Sequence, residues 1–272
     1  MRITLLFIGL TVVFLSCQKN DFNISNLNGN KITVLGHGGM GIGHSYPMNS
    51  QESILNCLNL GTDGTEIDVQ MTKDGVLVAY HDETLDTKTN STGKIHEKTW
   101  DEISDVQYTT PHFNGYRLVR LESLFQNIEH LKEYIFFLDL KNFNTASDTS
   151  YYATMLTEVN NLIVEFDLLD NIYVESKNEG SIAALQSINS KIQHFAYAEY
   201  EKALQLAEEH KIVGITLPFD ELTEERITLL HEKGIMVATF NTHSKKRNIR
   251  AVQFNVDFIQ TDKVKHLVKI LE

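Results

Sequence analysis

Short apolar runs alternate with amphipathic segments along most of the chain. Runs of β-branched and aromatic residues predict strands, and apolar residues that recur every three or four positions predict helices. The predicted parallel strands are Ile32–Leu35, Thr65–Val69, Ile135–Leu140, Ile172–Val174, His194–Tyr197, Val213–Leu217, Met236–Phe240 and Phe258–Thr261. The predicted helices are Ser50–Gly61, Leu121–Leu131, Tyr151–Phe166, Gly180–Ser187, Tyr200–Glu209, Thr223–Lys233 and Asn248–Phe254. Units of roughly 20 to 40 residues over 32–272 predict one α/β domain, a (β/α)8 TIM barrel.

The connection after the second strand departs from this rhythm. Only Met71–Gly75 separates that strand from the apolar run Val76–Tyr80, and a parallel crossover needs about a dozen residues. Val76–Tyr80 is therefore predicted to fold back antiparallel as a β-hairpin, with Asp74-Gly75 in the turn. A small irregular insertion, Leu85–Tyr116, follows. We expect the hairpin to carry His81 back over the end of the second strand.

Carboxylates interrupt two of the apolar strands. Side chains alternate along a strand, so Glu66 and Asp68 share one face, and Asp139 points inward from the next parallel strand. Like charges inside a strand cost free energy unless a positive group lies between them. Because all the expected ligands are oxygens, the three acids predict a site for Mg²⁺ or Ca²⁺. A doubly wound sheet is the alternative fold, but its strands rarely carry inward acids on two members.

Lys141 and three histidines complete the candidate site. Lys141 shares a strand face with Asp139, where it either joins the acids in a structural ion-pair network or binds a phosphate beside a cation. His37 ends the first strand and His81 ends the hairpin. Their pKa near neutrality suits a general base and a general acid. His44, in a glycine-rich loop, is a third candidate for contact with a substrate.

Charge limits the class of partner. The chain has 272 residues, 42% of them apolar, and a formal net charge of −12. Such a surface repels nucleic acid and anionic lipid, so a nucleic-acid partner is not expected. A small-molecule phosphodiester substrate is compatible with this charge, because a cation and a lysine would bind it locally. Nothing in the sequence predicts an oligomeric state.

The N-terminus carries the pattern of an export signal. A short positive start is followed by the apolar run Ile3–Leu15, which is too short to span a bilayer as a mature helix. Phe14–Cys17 resembles a bacterial lipobox. We expect a lipoprotein signal peptide over 1–17, a lipidated Cys17 and a polar tether over 18–31; ordinary cleavage nearby is the alternative. The predicted protein is an exported bacterial lipoprotein, periplasmic or at the cell surface, that meets the membrane only through its lipid anchor.

Seven short motifs run from the first strand to the last. They are His37-Gly38-Gly39, Pro47-Met48-Asn49-Ser50, Glu66-Ile67-Asp68-Val69-Gln70, Thr72-Lys73-Asp74-Gly75, His81-Asp82, Asp139-Leu140-Lys141 and Gln260-Thr261-Asp262. Together they resemble the glycerophosphodiester phosphodiesterase family, over about 34–262. The resemblance implies a TIM barrel that hydrolyses glycerophosphodiesters to an alcohol and glycerol phosphate with a divalent metal. It also implies roles for six residues: His37 and His81 as acid and base, Glu66, Asp68 and Asp139 as metal ligands, and Lys141 on the phosphate.

Four positions around the expected site depart from the family pattern. Gly38 stands where the family usually has Arg, which removes a forked phosphate-binding group from the substrate site. Met48 stands where Glu is usual, and Asp139 where a longer Glu is usual. Phe240 replaces a Trp, so the substrate-binding wall keeps an aromatic ring without an indole donor. We expect the loop 40–46 to reshape the pocket.

Three functions follow as hypotheses. The first is metal-dependent hydrolysis of a glycerophosphodiester by two histidines. The second keeps the barrel but uses a substrate hydroxyl to release a cyclic phosphate, as in sphingomyelinase D-like and phospholipase C-like relatives; Asp139 favours it slightly. The third is a lipoprotein that binds phosphorylated ligands without cleaving them, which the loss of Arg at Gly38 suggests. Retention of both His37 and His81 argues against the third, because binding alone needs no acid/base pair.

Overall fold

Eight parallel strands close into a barrel in the computed structural model, which describes residues 22–43, 46–143, 149–177 and 179–272. The strands are β1 Thr33–Gly36, β2 Gly64–Met71, β3 Leu77–Ala79, β4 Val119–Arg120, β5 Ile135–Leu140, β6 Ile172–Ser176, β7 Gln193–Tyr197, β8 Gly214–Pro218, β9 Met236–Thr242 and β10 Phe258–Thr261. Parallel pairing runs from β1 through β2 and β5 to β10, and β10 returns to β1. The predicted (β/α)8 barrel is confirmed.

Nine helices fall within the described ranges, and most of them lie between successive barrel strands. They are α1 Gln51–Asn59, α2 Trp100–Ile103, α3 Leu121–Gln126, α4 Thr149–Glu165, α5 Glu179–Ile188, α6 Tyr200–His210, α7 Glu224–Glu232, α8 Lys245–Gln253 and α9 Val264–Leu271. No helix in this part of the chain is long and apolar enough to cross a membrane. The predicted signal peptide 1–17, Cys17 and His44 lie outside the described residues. The signal peptide, the lipidation of Cys17 and the contact of His44 with a substrate therefore stay predictions. From residue 22 the chain lies on the barrel, since Phe22 and Ile24 pack against its outer core.

Two helices differ from the prediction. The helix expected over Leu121–Leu131 ends at Gln126 with Asn127 as its C-cap, and a separate 3₁₀ turn begins after His130, which adopts a left-handed conformation (φ 54°). Leu131 still packs on the core, so its apolar spacing reflects burial rather than a continuous helix. Helix α9 was missed, although its apolar positions recur at helical spacing and Val264 and Leu267 are fully buried.

The predicted hairpin is present. Strand β2 pairs with β1 at its start, at Leu35↔Gly64, and with antiparallel β3 at its end, at Val69↔Ala79. It is therefore longer than the other barrel strands, and β4 extends the ribbon beyond β3. The insertion that follows packs its own apolar cluster, which includes Tyr80 and Tyr108, against this ribbon. The hairpin and the insertion together form one wall over the carboxyl end of the barrel.

The inward faces of the barrel strands change from apolar to acidic along their length. Phe137, Phe195 and Phe258 fill the lower interior and pack on one another. Two positions later on β5 the inward residue is Asp139. Outward residues of the same strands, such as Ile67 on β2, belong to the core beneath the helices. These apolar side chains thus fill the barrel interior toward the amino ends of the strands, and the acids lie at the carboxyl ends.

Asp257 connects three parts of the fold from a fully buried position. Its carboxylate accepts hydrogen bonds from the backbone N–H of Leu27 at 2.8 Å and of Val237 at 2.7 Å, and it contacts Nε2 of His231 at 2.9 Å. Asp257→Ala is expected to lower the free energy of unfolding by about 3 kcal/mol, because it leaves buried donors unpaired. Denaturant titration measures this loss. The matched control is Asp105→Ala, whose exposed ion pair with Arg117 contributes at most about 0.5 kcal/mol; equal losses in the two variants would contradict the prediction.

Candidate active site

Glu66, Asp68 and Asp139 meet at the carboxyl end of the barrel, as predicted. Neighbouring strands place Asp68 directly beside Asp139 in the register of β2 and β5. One carboxylate oxygen from each of the three acids lies within 4.8 Å of the other two, and all three residues are buried. Burial, with Asp68 next to it, raises the pKa of Glu66 well above its usual value. The protein therefore neutralises only part of the negative charge of these three closely spaced, buried acids.

Among the described residues, Lys141 is the basic side chain that contacts this cluster. Its Nζ lies 2.8 Å from Asp68 and 2.5 Å from Asp139. Burial alone would raise the pKa of Asp68, but Lys141 and the nearby His81 and His37 lower it. Burial raises the pKa of Asp139 in spite of Lys141. One ammonium group therefore offsets one carboxylate and leaves the others to share protons or bind a cation.

Three hydrogen bonds with two residues of the β1–α1 loop orient Glu66 and Asp68. The backbone N–H of Gly38 donates to Glu66 at 2.8 Å. The side-chain amide of Asn49 donates to Asp68 at 2.6 Å and accepts from the backbone N–H of Asp68 at 3.0 Å. Asn49 adopts a positive φ of 64°, which turns its side chain into the barrel mouth. The carboxylates are held in place before any ligand binds.

His37 lies at the end of β1 with one ring nitrogen engaged. Its Nδ1 lies 3.0 Å from Asp262, and the same carboxylate contacts Nδ1 of His243 and accepts from the backbone N–H of Ile42. Burial opposes ionisation of Asp262, but its hydrogen bond to His37 helps lower its pKa to about 2. An ionised Asp262 favours the Nδ1–H tautomer of His37. Nε2 of His37 is then the nitrogen available to a substrate.

His81 lies at the end of the hairpin and is half-exposed. Its Nδ1 lies 2.8 Å from Asp82, and Lys88 pairs with the same carboxylate at 2.8 Å. The side-chain amide of Gln70 donates to the carbonyls on both sides of His81, those of Tyr80 and Asp82. The hydrogen bond to Asp82 raises the pKa of His81, although burial opposes this. The hairpin therefore presents an imidazole that holds its proton more tightly than usual.

Both histidines line one cavity of about 270 Å³. Its other walls come from the β1–α1 loop and from the insertion. The three acids do not line this cavity, but His37 and His81 are both near enough to Asp68 to lower its pKa. The two predicted histidines therefore share one cavity at the carboxyl end of the barrel, and their catalytic roles stay predictions.

Phe240 lies on the opposite side of the barrel mouth. Its ring meets that of Tyr197 edge-on, with centroids 5.1 Å apart, and the ammonium of Lys177 lies 4.2 Å from the centroid of Tyr197. Lys177 also lowers the pKa of Asp139, although burial is the larger effect. It is a second cation near the acids, although no motif pointed to it. Phe240 and Tyr197 form an aromatic pair here, and contact of Phe240 with a substrate stays a prediction.

Glu175 was also missed. It lies beside Asp139 in the register of β5 and β6, and it accepts hydrogen bonds from Thr216 and from Gln260. Burial and the neighbouring Asp139 raise its pKa to about 8. The alternation that identified Glu66 applies equally to Val174-Glu175-Ser176 and could have identified Glu175. The shared carboxylate of Asp262, by contrast, joins elements distant in sequence and has no local signal.

Comparison with known proteins identifies the family. The model of the glycerophosphoryl diester phosphodiesterase family matches residues 40–266. The chain belongs to this family. The predicted family is therefore confirmed, and with it the prediction of an enzyme, a phosphodiester hydrolase.

Several relatives match over almost their whole length. A glycerophosphodiester phosphodiesterase of Bacillus altitudinis is 26% identical over 84% of this chain and 94% of its own. One from Caldanaerobacter subterraneus is 24% identical over 89% of this chain and 98% of its own. Among solved structures, a glycerophosphodiester phosphodiesterase from Agrobacterium tumefaciens has a TM-score of 0.73 at 22% identity, over 88% of this chain and all of the other. An Oleispira antarctica phosphodiesterase has a TM-score of 0.79 at 15% identity, over 90% and 99%.

Gly38, where the family usually has Arg, adopts a left-handed backbone conformation that residues with a side chain rarely adopt. Its φ is 54°, and a Cβ there would lie 2.9 Å from the terminal methyl group of Met48. Gly38→Arg is therefore expected to lower the free energy of unfolding by about 1–2 kcal/mol without raising kcat/KM. Gly29→Ala is the matched control, because Gly29 has a similar φ of 63° with nothing near its missing Cβ. Denaturation and turnover of both variants test this, and higher turnover of Gly38→Arg at unchanged stability would contradict it.

Proposed function

We propose that this protein hydrolyses glycerophosphodiesters to an alcohol and glycerol phosphate, using a divalent cation and two histidines. The observation that supports this most is that three buried carboxylates meet at the barrel mouth, near a cavity that both His37 and His81 line. The relatives from Bacillus altitudinis and Caldanaerobacter subterraneus carry the name of this activity. The structure of the Oleispira antarctica phosphodiesterase is of its complex with the product sn-glycerol-3-phosphate.

The acid cluster fits a hard divalent cation. Its donors are all carboxylate oxygens, which suit Mg²⁺ or Ca²⁺ better than zinc. Burial raises the pKa of Glu66 and of Asp139, because the protein supplies too little positive charge to stabilise both carboxylates. Glu66, Asp68 and Asp139 would hold the ion. When bound, such an ion stabilises negative charge on a phosphoryl oxygen.

His37 is assigned as the general base. Asp262 is ionised and contacts Nδ1 of His37, so that Nε2 is free to accept a proton. In the proposed step, water bonds to phosphorus while its proton passes to Nε2 of His37. Asp262 also stabilises the imidazolium that results. The contact of Asp262 with the backbone N–H of Ile42 keeps that carboxylate aligned with the ring.

His81 is assigned as the general acid. Its hydrogen bond to Asp82 raises its pKa, which favours the protonated form that an acid needs before the reaction begins. The bond from phosphorus to the alcohol oxygen breaks, and His81 donates a proton to that oxygen. The hairpin positions this ring through the contacts of Gln70 with the carbonyls of Tyr80 and Asp82.

Lys141 and Lys177 supply positive charge for the phosphate. Lys141 lies between Asp68 and Asp139, and burial is outweighed by these acids, which raise its pKa. It therefore stays charged throughout the working pH range. Lys177, directly after β6, adds a second ammonium group that is more accessible to solvent. These two groups supply positive charge in a site that lacks the guanidinium usual at position 38.

Product analysis tests the reaction. The purified protein is incubated with glycerophosphocholine, glycerophosphoethanolamine or glycerophosphoglycerol, in Mg²⁺, in Ca²⁺ and in EDTA, and phosphorus NMR follows the products. We expect a phosphomonoester that appears with one of the metals and not with EDTA. A cyclic phosphate as the end product would replace hydrolysis by the lyase reaction. Absence of turnover with every ester and metal would contradict the proposed function.

A further inference from the structure

The cavity beside the histidines has mostly apolar walls. Among the described residues that line it, apolar or aromatic side chains are Ile42, Tyr46, Pro47, Met48, Tyr80, Tyr108 and Phe113. Gly41 and Gly43 contribute no side chain to it. A polar alcohol such as glycerol or ethanolamine would need hydrogen-bond partners here, because a buried polar group without a partner costs free energy.

Several polar side chains around this cavity are already engaged. The hydroxyl of Tyr80 donates to the carbonyl of Thr84 at 3.2 Å, and the hydroxyl of Tyr108 donates to the carbonyl of Met48 at 3.3 Å. Among the charged groups of the lining, Asp82 pairs with Lys88 at 2.8 Å and with His81 at 2.8 Å. An uncharged wall of rings and a thioether remains. Such a surface gains free energy from an apolar group and offers little to a charged one.

Met48 has a specific place in this wall. Its side chain packs against the backbone of Gly38, where a Cβ would come within 2.9 Å of its terminal methyl group. Met48 immediately precedes Asn49, which holds Asp68. The apolar wall is therefore adjacent to the acid cluster. One substrate molecule can place an apolar group against Met48 and its phosphate at the acid cluster.

We propose that this cavity binds an apolar group carried by the phosphodiester substrate, either an alkyl chain on the leaving alcohol or an acyl chain on the glycerol. The proposal rests on the proposed function, because the group enters the cavity as part of that substrate. Each methylene that leaves water for such a wall is expected to raise kcat/KM about fourfold, until the cavity is filled. Short polar headgroups are then poor substrates by comparison.

A chain-length series tests the proposal. Glycerophosphate esters of ethanol, butanol and octanol vary the leaving alcohol, and octanoyl-glycerophosphocholine compared with glycerophosphocholine varies the glycerol. All are assayed below their critical micelle concentrations. We expect the octyl ester to exceed the ethyl ester by at least 30-fold in kcat/KM, or the octanoyl substrate to exceed its parent to the same extent, and the series that responds identifies the source of the chain. Equal kcat/KM in both series would overturn the proposal.

A substitution in the wall gives a second readout. Met48→Gln keeps the length of the side chain but makes it polar, so the octyl-to-ethyl ratio is expected to fall about tenfold. The ratio is internal to one sample and does not depend on the fraction of folded protein. Leu229→Gln, on the outer helix α7, is the control and should leave the ratio unchanged. A ratio that is the same in Met48→Gln and in the unaltered protein would also overturn the proposal.

Binding separates this proposal from the proposed function. The non-hydrolysable octyl and ethyl glycerol phosphonates are titrated into the protein by calorimetry. Tighter binding of the octyl compound with no turnover of any ester would retain the apolar site and overturn hydrolysis. Turnover of the esters with equal affinity for both phosphonates and equal kcat/KM would retain hydrolysis and overturn the apolar site.

Discussion

Glu66→Gln is expected to lower kcat/KM by about 10³-fold and to abolish measurable binding of Mg²⁺ or Ca²⁺. The change removes one carboxylate from the acid cluster but keeps an oxygen that can accept the hydrogen bond from Gly38. The free protein should not lose stability, because the pKa of Glu66 is raised by burial and by Asp68, and the amide imposes no buried charge. Turnover, metal calorimetry and thermal unfolding without metal measure the three effects.

The control for this prediction is a second buried acid. The pKa of Glu175 is raised to about 8, so this residue is already neutral at pH 7, and Glu175→Gln should change turnover less than about fivefold. Binding of the ion should also release the proton from Glu66, which calorimetry detects in buffers with different ionisation enthalpies. If Glu66→Gln destabilises the free protein and leaves metal binding intact, the acids form a structural network with Lys141 instead.

His81→Ala is expected to lower kcat by 10²- to 10⁴-fold on esters of ordinary alcohols, because the departing alkoxide then lacks a proton donor. The loss should be much smaller on a p-nitrophenyl ester, whose leaving group departs without protonation. His37→Ala should lose comparable activity on both kinds of ester, since a base is needed for either. If the p-nitrophenyl ester rescues His37→Ala and not His81→Ala, the two roles are reversed.

The pH profile gives an independent test of His81. A general acid works only when it is protonated, and Asp82 raises the pKa of His81, so the active range extends toward higher pH. Asp82→Asn removes this effect and is expected to move the alkaline limb of kcat to lower pH. Lys88→Met removes a cation from the same carboxylate and should not move the limb in that direction. An alkaline limb that stays in place in Asp82→Asn would exclude His81 as the titrating acid.

The local pattern of the chain was enough for much of the architecture. Alternation along a strand is a property of the backbone itself, so the shared face of Glu66 and Asp68 followed from the sequence. The antiparallel hairpin followed from the length of its connection, because no parallel crossover fits there. The same local reasoning was wrong for the helix that apolar spacing extended to Leu131, because the chain leaves the helix at Asn127 and Leu131 reaches the core from a separate 3₁₀ turn.

The sequence by itself determined which residues carry charge, on which strand faces, and at which ends of the barrel strands. Only the tertiary structure decided their partners. Asp262 contacts His37 from 225 residues away along the chain and also contacts His243. The insertion adds Tyr108 and Phe113 to the cavity that both catalytic candidates line. Periodicity reports the environment of a residue within its own element, whereas such contacts depend on how separate elements pack, which no local spacing encodes.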